Sequence, residues 1–294
     1  MKEYSSFVNE VRNRMQQLLG SGFRLHAEKL SRVNGIKSDY LVISSEGENL
    51  SECIPLEFYY RLYMNKEDMD MIMSDMLMTY WKAGKEKQAV REDELLDWNL
   101  ARKRLMFRLV STEANRELLQ DMPHIDFCDL SQVFYLLFET DGDGCRTVPV
   151  TVMLMEAWKA GMDEILLNAE RNTAERLPGK LAGMDDILDG AASPERGISF
   201  YVLTNPMKLY GAACILYKGM LEQVAERIGF GFYVLPSSVH EVIIVPADKC
   251  RPETAQELKM IVTSVNGTEL PECDILSDSV YFYNRKEHSF TIAA

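Results

Sequence analysis

Short apolar runs that alternate with period two are set in pairs across turn residues along this chain, and longer stretches of helical period separate them. That layout limits the fold to a few classes. The last third is clearest: ISFYVLT, GFYVLP and SVHEVIIVP read as strands, the last two linked by Pro236-Ser237-Ser238, and VYFYN with SFTIA reads as a closing hairpin. Strands joined by short turns pair antiparallel, so the expected class is α+β, mostly antiparallel sheets with helices packed on them. Two lobes are expected, residues 1–178 and 198–294, with the small-residue stretch 179–197 as connector.

The N-terminal half follows the same logic. Phe7, Val11, Met15 and Leu18 or Leu19 recur at helical spacing from Lys2 until Gly20 and Gly22 stop the helix. FRLHAEKL and DYLVIS then form a hairpin across Asn34-Gly35, residues that tolerate positive φ. A helix over about 66–84 follows, with Asn65 as N-cap, and it buries Met69, Ile72, Met73, Met76, Leu77 and Tyr80. The charged stretch 85–98 is a surface helix or linker and the best candidate for an internal hinge. LMFRLVS is a strand, TEANRELLQ a short helix, and DLSQVFYLLFET pairs with RTVPVTVML across Asp141–Gly144. That DGDG turn is not a calcium loop: counted from Asp141, Arg146 and Val152 stand where an EF-hand needs Gly and Glu. GMDEILLNAERNTAER is a helix, in which Asn172 and Thr173 at mid-helix mark a packing or hydrogen-bonding contact. A helix from Pro206, capped by Asn205, is expected to run to Gly229, with Gly211, Ala212 and Ala213 allowing close packing.

Composition narrows the function. The 294 residues carry a net charge of −13, and the longest basic run is ARKR at 101–104. Duplexes and anionic membranes attract basic patches, so neither nucleic acid nor membrane is expected as a partner. No apolar run approaches the roughly 18 residues that span a bilayer. The N-terminus mixes charges where a secretory signal needs a basic start and an apolar core. A cytoplasmic protein is therefore expected. Cys53, Cys128, Cys145, Cys214, Cys250 and Cys273 are scattered, with no Cys-x-x-Cys and no histidine at ligand spacing, and so read as reduced thiols. No metal and no cofactor is expected.

The phosphate-loop, dinucleotide, zinc-helix and nucleophile-elbow patterns are all missing. The densest polar constellation is LPSSVHEVIIVP, where Ser237, Ser238, His240 and Glu241 lie at or beside a turn expected on an accessible rim. A hydroxyl, an imidazole and a carboxylate are the parts of a nucleophile–base–orienter system. In a strand, however, His240 and Glu241 point to opposite faces. A second candidate is Asn205, where a helix N-terminus would offer free amides to an anion. These five residues are the candidate binding set, and none is assigned a catalytic role.

Several stretches in order resemble one known family: YVLTN with GAACILY, VLPSSVHEVIIVP, VNGTE with ILSDSVYFYNR, and, earlier, IPLEFYYRLYM, ANRELLQDMPHIDFCDLSQVFY and LLNAERNTAERLP. They resemble the uncharacterised domain-of-unknown-function family DUF5688 of anaerobic gut bacteria over nearly the whole chain. One departure is the first hairpin, SRVNGIK, where members tend to show an Asn-rich turn after a Lys. The resemblance implies a bacterial cytoplasmic setting and lends no activity, cofactor or catalytic residue. The expected role is binding or regulation, with a protein or small molecule as partner. The alternative is a hydrolase-like or transferase-like enzyme using Ser237 or Ser238 with His240 and Glu241.

Overall fold

The computed structural model describes residues 2–45, 51–87, 92–139, 145–183, 200–236, 238–247 and 254–294. The fold is α+β with mostly antiparallel sheets, as the alternation of periods implies. Its residues fall into two compact units, one of residues 1–92 with 139–144 and the other of residues 93–138 with 145–294. The parting near Glu92 lies in the charged stretch taken as a hinge candidate. The turn Asp141–Gly144 and most of the connector 179–197 lie outside the described residues.

The first unit begins with α1 (Lys2–Leu19), then β1 (Phe23–Ser31), β2 (Lys37–Ser45) and β3 (Glu52–Pro55), which form one sheet in that order. Asn34 and Gly35 have φ of 63° and 67°, the left-handed geometry that an Asn-Gly pair accepts cheaply. Next come α2 (Leu56–Met64) and α3 (Met69–Lys87). Asn65 ends α2 instead of starting α3. The start of α3 is capped by Asp68, whose Oδ1 accepts from the amide of Asp70 at 2.8 Å. Ile72, Met73, Met76 and Tyr80 pack with Phe7, Val11, Met15, Leu41 and Ile43 in one core. Each fully buried side chain of this size stabilises by about 1.5–3 kcal/mol, so the methionine face is a packing face.

In the second unit, α4 (Glu92–Leu96) and α5 (Trp98–Ala101) lead to β4 (Leu105–Ser111), α6 (Arg116–Leu119), β5 (His124–Phe127), β6 (Leu130–Glu139) and β7 (Cys145–Pro149). The four strands form a sheet in which β6 pairs with the other three. RTVPVTVML is strand only as far as Pro149. Thr151 then caps α7 (Val152–Trp158) through its Oγ1, 3.3 Å from the Leu154 amide. The next helix, α8 (Met162–Arg176), covers the free edge of β4. Thr173 Oγ1 accepts from the Phe107 amide at 3.1 Å, and Asn172 Nδ2 donates to the Leu105 carbonyl at 2.9 Å. An unpaired strand edge invites foreign strands, and here two mid-helix polar residues occupy it.

The second sheet of this unit comprises β8 (Lys180–Gly183), β9 (Tyr201–Thr204), β10 (Phe232–Leu235), β11 (Val242–Pro246), β12 (Tyr281–Asn284) and β13 (Ser289–Ile292), in the spatial order β13-β12-β10-β11-β9-β8. Thus the start of the expected loop after residue 179 is strand. Among the described residues, this region also holds the helices α9 (Met220–Ile228) and α10 (Thr254–Thr268). Among the described residues, no helix is long and apolar enough to cross a membrane.

Candidate functional site

The segment leaving β9 departs most from expectation. No helix starts at Pro206. The buried Asn205 side chain engages both backbone groups of Leu209, with Nδ2 donating to its carbonyl at 2.8 Å and Oδ1 accepting from its amide at 3.2 Å. This clamp closes a tight loop in place of a helical turn. Lys208 and Tyr210 take φ of 50° and 51°, which breaks any right-handed run. Left-handed geometry at a non-glycine residue costs about 1–3 kcal/mol and persists only where the surroundings enforce it. A 3-10 stretch, Gly211–Leu216, follows, and α9 begins only at Met220. The expectation of an anion-binding helix N-terminus at Asn205 is therefore corrected. Gly211 is required for a different reason. A Cβ there would collide with Thr204 Oγ1 and the His240 carbonyl, which are themselves joined at 2.7 Å.

The turn between β10 and β11 is not on an open rim either. Pro236, Ser238 and Val239 are buried. The segment that precedes β12 covers them, with the Ser277 amide donating to the Pro236 carbonyl at 3.1 Å and the Val239 amide to the Asp274 carbonyl at 2.9 Å. Ser238 Oγ accepts from the backbone amide of His240 at 3.1 Å, so its hydroxyl closes its own turn. Ser237 lies outside the described residues.

His240 reaches the surface with its ring. Its Nδ1 lies 2.9 Å from the Lys208 carbonyl, and because a carbonyl only accepts, Nδ1 carries a proton. Nε2 faces Asp274 Oδ1 at 3.6 Å, and the ring lies parallel to Tyr210 with centroids 6.0 Å apart. Glu241 belongs elsewhere, to the cleft described next. Among the described residues, the hydroxyl, imidazole and carboxylate of this turn do not converge as nucleophile, base and orienter.

That cleft, of about 270 Å³, lies at β8, β9 and β11. Ala182, Val202 and Ile243 stand in one cross-strand row by register. Lys180, Lys208, Glu241, Asn205 and Thr204 also line it. Two of the five residues nominated from the sequence, Asn205 and Glu241, thus meet here. Lys180 was missed because strand register brings it opposite Thr204, a pairing that nothing local in the sequence encodes, and Lys208 because the loop clamped by Asn205 replaces the expected helix.

A second group of missed residues lies on one face of β4 and β6. Register places Met106 opposite Tyr135 and Arg108 opposite Val133, so Arg108 and Tyr135 are diagonal neighbours on one face. The Arg108 guanidinium lies 4.6 Å from the Tyr210 ring centroid, and Tyr210 meets Tyr135 edge to face at 5.3 Å. Tyr135 is 2% exposed, and its hydroxyl has no hydrogen-bond partner among the described residues. Burial, with Tyr210 adding to it, pushes this phenol far above its ordinary range. Among the described residues, no group of three His, Cys, Asp or Glu side chains could hold a metal ion.

Compared with known proteins, the chain matches a family model described as "Family of unknown function (DUF5688)" over residues 4–285. No curated protein and no solved structure matches it. The match spans nearly all the chain, which therefore belongs to that family.

Proposed function

We propose, with membership of this family of unknown function as premise, that the protein binds a small zwitterionic ligand in the cleft beside β8, β9 and β11. One observation carries the reading: Lys180, Lys208 and Glu241 converge on a cleft whose floor includes Ala182, Val202 and Ile243. Two ammonium groups suit a carboxylate or phosphate, a carboxylate suits an ammonium, and the apolar row suits a hydrocarbon part. The cleft is close to the lower end of ligand pockets, roughly 300 Å³, which fits a ligand of amino-acid size. Net charge of −13 supports a partner other than nucleic acid or an anionic membrane. The scattered cysteines, with no Cys-x-x-Cys pair, support a reducing compartment such as the cytoplasm.

Calorimetric titration with a panel of free amino acids, led by leucine, tests the reading. Lys180→Ala, Lys208→Ala and Glu241→Gln are each expected to weaken binding about tenfold, the loss of one charge-assisted contact. A panel that gives no heat, or an affinity unchanged in the lysine variants, overturns it.

A further inference from the structure

Four observations converge on the loop 205–210, whose Asn205 and Lys208 also line the cleft. The Tyr135 hydroxyl is buried with no partner among the described residues. A buried donor left unpaired is rare in folded proteins and calls for an explanation. The Arg108 guanidinium lies over the Tyr210 ring, and among the described residues no carboxylate pairs with it. Leu209 and Tyr210 pack against the cluster that holds Tyr135, Met106 and Leu177. Lys208 and Tyr210 are held in left-handed geometry by the Asn205 clamp on Leu209, the Lys208 amide on the Asn205 carbonyl, the Ala213 amide on the Tyr210 carbonyl and the His240 ring on the Lys208 carbonyl.

We propose that this loop is a strained lid over an oxyanion subsite, in which the Tyr135 hydroxyl and the Arg108 guanidinium receive a phosphate or carboxylate group once the Tyr210 ring swings aside. Opening relaxes two left-handed residues and exposes a donor that lacks a partner. It also frees a planar fork of N–H groups, the geometry best matched to oxyanions. The closed loop competes with the anion, so apparent affinity is reduced by the fraction of molecules that are open. The subsite shares neither Arg108 nor Tyr135 with the zwitterion cleft and does not rest on that reading, although the lid loop carries Asn205 and Lys208 of the cleft lining.

Inorganic phosphate is the probe, titrated against the full chain by phosphorus NMR with ionic strength held constant by chloride. Tyr210→Gly removes the ring and accepts positive φ, and is expected to bind phosphate at least about tenfold more tightly than the wild type. Adding Tyr135→Phe or Arg108→Gln to that variant is expected to cancel the gain. A Tyr210→Gly protein that binds no better, or a gain that survives Tyr135→Phe, overturns the proposal. Should Tyr210→Gly not fold, Tyr135→Phe alone, which keeps the ring, is compared with wild type. A weaker phosphate response supports the subsite, and an equal response, zero included, overturns it.

Discussion

Two buried tyrosines in the second unit have opposite polar surroundings. Tyr281 on β12 donates to Asp129 Oδ1, and the same carboxylate accepts from Ser277 Oγ at 2.6 Å and Ser279 Oγ at 2.9 Å. Asp129 sits between β5 and β6, so this cluster ties the β5–β6 turn to the β12 strand. Every donor around it is satisfied. Tyr135 on β6 has a hydroxyl with no partner among the described residues, under a loop held in left-handed geometry. Saturated polar clusters rigidify a fold, whereas an unsaturated one is costly unless something else completes it. The difference separates the structural polar network from the candidate binding one.

The sharpest way to break the comparison is to remove the acceptor from the saturated cluster. Asp129→Ala strands three hydroxyls and is expected to cost roughly 3–5 kcal/mol in urea unfolding. A loss below 1 kcal/mol would mean that the hydroxyls find water and the cluster is not structural. Next is Gly211→Ala, which forces a Cβ against Thr204 and the His240 carbonyl and is expected to cost roughly 2–3 kcal/mol by the same assay.

A third effect appears in alkali. Burial pushes the Cys214 thiol from 9.0 to about 11. A folded value above the unfolded one gives stability that is complete below pH 9 and is lost as pH rises towards 11. At 1.36 kcal/mol per unit, that loss is roughly 2–3 kcal/mol, and Cys214→Ala is expected to remove it from the pH dependence of the urea midpoint. Smallest is Thr173→Val, which leaves the Phe107 amide at the edge of β4 unpaired and is expected to cost roughly 1–2 kcal/mol.

How much of this was legible in the sequence follows from the range of the interactions. The bounds of α1, the Asn34-Gly35 hairpin and the core face of α3 were readable because a single period or turn pair encodes each. The edge-covering role of Asn172 and Thr173 was half readable. Polar residues mid-helix announced a contact, but not that its partner was β4. The site was least legible. Asn205-Pro206 has the composition of a helix start, yet the Asn205 side chain bonds Leu209 instead and leaves no helix to begin there. The Pro236 turn was buried by residues 274–277, some forty positions further on, a packing that no local pattern reports. Lys180 of the cleft and the Arg108–Tyr135 pair depend on strand register, which the same local patterns leave open.

The same deletion at the two tyrosines tests the distinction most directly: urea unfolding of Tyr281→Phe beside Tyr135→Phe. Loss of the hydroxyl bound to Asp129 is expected to cost roughly 1.5–3 kcal/mol, and loss of the partnerless one nothing, or to stabilise slightly. Equal losses at the two positions would contradict the account, since Tyr135 would then be as fully engaged as Tyr281.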